Sequence, residues 1–326
     1  MRLANRKPVS FHYVISLCSG FDATLQLDKV FALVGMIAKE RPIDSPTVKL
    51  LKPDYNRSVS EVYTVAARTA IIEGGLDLFW VTDDSTRPSR QEEIPPSWVP
   101  FLEWDRGDTH RPRTPLWPYV GVAASGSTQL NYQYDPSWGT LSVGGLVVSR
   151  IVETSAPLPS PSGNIDGQTG AHKLVSIFVF TLQMLRACEP DLSLAKLQQN
   201  VQLVATGGSW HQHPDRLPVD WATFLNWVTE DPAGSGGTPD LYKVRDICNV
   251  NILASINRRF FITAAGRLAL GHRNAKPEDI VCIIFECRSP VILRPTGNQW
   301  KFVGLAYMQG ISEVRPAWSP LKASLS

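Results

Sequence analysis

The chain has 326 residues, of which 43% are apolar and 19% charged, with a net charge of +2. That length admits one large domain or two ordinary ones, and the composition excludes a disordered chain. Near-neutral charge removes any broad electrostatic reason to expect nucleic acid or an anionic membrane as partner. Five cysteines (Cys18, Cys188, Cys248, Cys282 and Cys287) form no CxxC pair and leave an odd count. This suits reduced thiols in a cytosolic protein better than a disulfide scaffold.

Residues 9–20 are compatible with a helix, and His12 interrupts the apolar run Val9–Leu17 in a way that argues against a secretory signal. Asp28 to Gly35, DKVFALVG, reads as a short helix capped by Asp28 and ended by Gly35, with Phe31 and Val34 toward a core. After Pro53-Asp54-Tyr55 comes Ser58-x-x-Glu61, a capping box. Val59, Val62, Ala66 and Thr69 then recur at helical spacing until Gly74-Gly75 stops the pattern. Pro96-Ser97-Trp98-Val99-Pro100, followed by Trp104, reads as a packing clamp that closes a helical segment over about 1–110. The connector 105–118 holds Arg106, His110, Arg111 and Arg113 and reads as a solvated loop.

From Trp117 the pattern turns to strands. Leu130, Tyr132 and Tyr134 alternate, and Thr140–Val143 and Leu146–Val152 follow, with Gly144-Gly145 where the phase slips, as at a bulge. This strand is expected to join the C-terminal sheet, across a flexible linker at 154–170 and a helical insertion at about 171–257. The insertion divides into helices near 171–188, 193–205, 217–230 and 240–257. The run Leu174–Leu185 is too short, and too broken by Ser176, Thr181 and Gln183, to span a membrane. Phe260 to Ile311 holds five short apolar runs separated by turn signals, the pattern of an antiparallel meander curled into a small barrel. Ile280–Phe285 is apolar at every position, which predicts burial on both faces. The predicted fold is α+β: an N-terminal helical segment, then an antiparallel β-meander or small barrel over 111–326 with a helical insertion.

Little in the chain suggests chemistry. His211-Gln212-His213-Pro214-Asp215 has a metal flavour, but Pro214 and Gly207-Gly208 place it in a loop and no third firm ligand is supplied. Ser209 or a cysteine acting as nucleophile would need a distant His and Asp that no motif provides, so the cysteines read as core residues. Gly234-Ser235-Gly236-Gly237 lacks the Lys-Ser/Thr of a phosphate loop. Arg258-Arg259 and Arg267 beside Trp300 and Phe302 are too few for a single-stranded nucleic-acid platform. The sequence therefore designates no catalytic, cofactor-binding or metal-ligating residue, and no cofactor.

One resemblance stands out. GRLALG, KPEDIVCIIF, PVILRP and WKFVGLAYMQGI, within 266–311, closely resemble the C-terminal region of fungal heterokaryon incompatibility proteins, the HET-domain family. That family has a recurrent GxLGLG, a PGD-[IL]-[VC] turn and strand, a P-F-V-L-R-P strand and a final VGxAYVxGI. DKVFALVG resembles its DKVYALLGL, PDYNRSVSEVYTVAAR its PDYxxSVxEVYxxxAR, PSWVP its LPSWVPDW, and LSVGGLVVSRIVE its LxVxGxxxDxI strand. The Y-x-A-L-S-Y-x-W-G, I-W-I-D-x-x-C-I-N-Q and W-x-R-x-W-T-x-Q-E blocks of the toxic, TIR-related HET module do not occur. The resemblance implies a non-catalytic region downstream of that module, acting in fungal non-self recognition by regulating, folding or docking a HET module in cis or in trans. Two other readings stay open: a stand-alone small-ligand or metal-binding enzyme using the barrel mouth and the His211/His213 loop, and a truncated remnant or mis-started gene model.

Overall fold

The structure, a computed structural model, describes residues 10–18, 23–38, 46–82, 94–102, 124, 132–134, 139–158, 168–206, 258–308, 310–311 and 319–325. Helices come first: α1 (Phe11–Cys18), α2 (Asp28–Ala38), α3 (Pro46–Leu50) and α4 (Val59–Gly74), then a 3-10 helical turn over Gly75–Val81. α4 starts at the predicted capping box. Ser58 Oγ accepts from Glu61 N at 3.2 Å, and the Glu61 carboxylate accepts from Ser58 N at 3.0 Å, which satisfies two otherwise orphaned donors. It stops at Gly75, whose φ of 68° glycine adopts without a Cβ penalty. Val62, Ala66 and Thr69 are buried, as their spacing predicts.

α2 departs from expectation. Phe31 and Val34 do face the core, but Gly35 does not end the helix, which continues to Ala38 and buries Ile37 one turn further on. The packing of Ile37 outweighs the helix-weakening glycine. The five-residue α3 carries one local signal, Pro46 at its first position, where the missing N–H has no intrahelical partner to lose.

The strands are β1 (Tyr132–Tyr134), β2 (Leu141–Thr154), β3 (Arg258–Thr263), β4 (Leu268–His272), β5 (Ile280–Ile284), β6 (Val291–Thr296), β7 (Gln299–Met308) and β8 (Ser319–Leu325). Between β2 and β3 lie α5 (Gln168–Cys188) and α6 (Leu194–Ala205), and the helices expected near 217–230 and 240–257 fall outside the described residues. The fold is α+β, a helical segment ahead of an antiparallel sheet. A single parallel bridge, Trp300 to Leu325, joins β7 to β8.

As expected, β2 joins the C-terminal strands. It pairs with β5 through 145–150 and with β3 through 151–154. With β3–β4, β4–β7, β7–β6 and β6–β5, these pairings return to their starting strand. The phase slips do not fall at Gly144-Gly145, which stay in regular register with β8. The extra residues are Val148 and Val152 on β2 and Val303 on β7. Glycine is needed at 145 for another reason: a Cβ there would lie 2.3 Å from the Ile283 carbonyl oxygen, so only a bare backbone lets β2 approach β5.

Alternation along the strands divides the apolar side chains into two cores. Phe261, Ala269, Val281, Ile292, Val303 and Ala306 cluster with one another. Phe260, Leu270, Cys282, Ile284, Leu293 and Phe302 belong to a larger cluster shared with the helices. Strand β5 contributes to both, which is why its residues are apolar at every position. The insertion packs on the outer core, with Phe178 of α5 edge-on to Phe260 at 5.5 Å between centroids. Among the described residues no helix is long and apolar enough to cross a membrane. Leu174, Ile177, Phe178 and Leu185 of α5 are buried within the protein.

Candidate functional site

The helical segment is fastened to the sheet at β7. A turn closed by Val99 N donating to Pro96 O at 2.9 Å presents Ser97, whose Oγ accepts from Phe302 N at 2.8 Å. Phe79, on the 3-10 turn, lies against Phe302 with centroids 4.6 Å apart, and both rings are fully buried. Trp98 is buried and its Nε1 donates to Gly139 O at 3.5 Å, while Lys29 Nζ of α2 donates to Leu102 O. PSWVP acts as the predicted clamp through Trp98, whereas Trp104 lies outside the described residues.

Beside this apolar seam is an ionisable one. Arg288 Nε stands 3.7 Å from Asp77 Oδ1. Burial holds the Asp77 carboxyl above the usual range; Arg288 and His12 pull it down, and Glu286 pushes it up. The Glu73 carboxylate accepts from Phe11 N at 2.6 Å and pins the start of α1 to the end of α4. Sequence patterning misses this group, because its members come from α1, α4, the 3-10 turn and the β5–β6 turn.

None of the cysteines whose side chains are described is activated. Burial pushes the Cys282 and Cys287 thiols up to about 12, leaving neither as thiolate at neutral pH. Cys188 is exposed at the end of α5, and its thiol is raised by desolvation, Glu153 and Glu189. Cys248, Ser209, His211, His213, Asp215, Gly234–Gly237, Arg106, His110, Arg111 and Arg113 lie outside the described residues. Among those described, no group of three or more His, Cys, Asp or Glu side chains could hold a metal ion.

A buried ion pair ties together two of the sequence blocks quoted above. Arg294 Nε and Nη2 donate to the two carboxylate oxygens of Asp279 at 2.8 and 2.9 Å, and Lys276 N donates to Asp279 Oδ2 at 2.9 Å. Arg294 Nη2 also donates to Asn274 O at 2.7 Å. The bidentate fork locks the KPED turn onto the ILRP strand.

The helical segment also carries exposed apolar side chains. Ten large apolar side chains stay exposed among the described residues, and seven of them precede residue 102, although that stretch is the smaller part. Tyr13, Leu25, Met36, Tyr55 and Ile72 are each more than half exposed. Exposed apolar groups concentrated on one segment offer a surface for another protein. No protein-family model, no curated protein and no solved structure matches this chain.

Proposed function

We propose that this chain is a non-catalytic regulatory or docking region of a fungal heterokaryon incompatibility protein, acting in the cytoplasm in non-self recognition. Its partner is a HET module, in cis or in trans, received on the outer face of the helical segment. The observation that carries the reading is the concentration of exposed apolar side chains on that segment. The order of the resembling blocks supports it, since in the family the HET module precedes the helical block and would lie next to that face. The seam at Phe302 and Ser97 supplies the rigid connection through which a docked module would feel the sheet.

The test is to mix the purified chain with a HET module, follow complex formation by size-exclusion chromatography and calorimetry, and score cell death when both are expressed in a filamentous fungus. Binding, lost on changing the exposed Met36 and Ile72 to Glu while thermal stability is kept, is the expected result. No complex, together with an unaltered incompatibility reaction, overturns the proposal.

A further inference from the structure

We draw no further inference here: the strongest candidate, the side-chain cluster of His12, Glu73, Asp77, Glu286 and Arg288 where α1 and α4 meet the β5–β6 turn, belongs to the seam already described, and only the raised proton affinity of Asp77 sets it apart from an ordinary packed joint.

Discussion

Asp77 keeps its proton more tightly than an ordinary carboxyl although Arg288 stands beside it, because burial outweighs the guanidinium. The folded state thus binds a proton there more strongly than the unfolded chain. The resulting stability is fully present below the ordinary carboxyl pKa and is lost as pH rises through the raised one. Asp77→Asn should therefore melt above the parent at pH 7, with the gap closing as pH falls toward 4. Calorimetry across that range checks it; a lower Tm for the variant at pH 7 would mean that the Arg288 contact outweighs burial. The thiols give a second prediction at this scale. Iodoacetamide should modify Cys188 in the native protein, more slowly than a free cysteine, and reach Cys282 and Cys287 only after unfolding, as read by peptide mass spectrometry. Replacing Arg294 by Met should cost about 3–5 kcal/mol in urea titrations, since the buried Asp279 would be left without its counter-ion.

At the scale of the element, two glycines with opposite roles separate helix from strand. Gly35 lies exposed within α2, and a Cβ built there meets nothing within 4 Å. Gly35→Ala should stabilise by about 0.5–1 kcal/mol through the loss of unfolded-state freedom. Gly145→Ala should instead destabilise by about 2–4 kcal/mol, because the Ile283 carbonyl oxygen occupies the space and backbone cannot step aside cheaply. Both are measured by chemical denaturation. The same contrast explains what the sequence made legible. Ser58 and Glu61 are three residues apart, so their mutual capping is local chemistry and visible in a single turn. The end of α2 is not legible at Gly35, because tertiary burial of Ile37 carries the helix on to Ala38. The bulges at Val148, Val152 and Val303 depend on which strands lie alongside, and β8 offers only the alternation of Leu321, Ala323 and Leu325. Asp77 gains its meaning from Arg288 in a distant turn. No spacing rule reaches such pairs.

Across the whole molecule, the larger core runs without a break from Phe11 to Leu325. Phe79 and Phe302 join its helical and strand parts. Phe79→Ala should cost about 3–5 kcal/mol and move one cooperative transition downward. Separate melting of helices and sheet, seen by circular dichroism and tryptophan fluorescence, would refute the joint core. The return of the pairings to β2 has a consequence for biosynthesis. β2 leaves the ribosome first among the strands of the circuit, and about a hundred residues separate it from β3; at translation speed that is roughly 5–20 s. Among the described residues, its only strand partner already made in that interval is β1, which covers Leu141 to Val143. Beyond that pairing, no described strand made earlier covers β2, and in a crowded polysome a ready complement is the same strand on the neighbouring nascent chain.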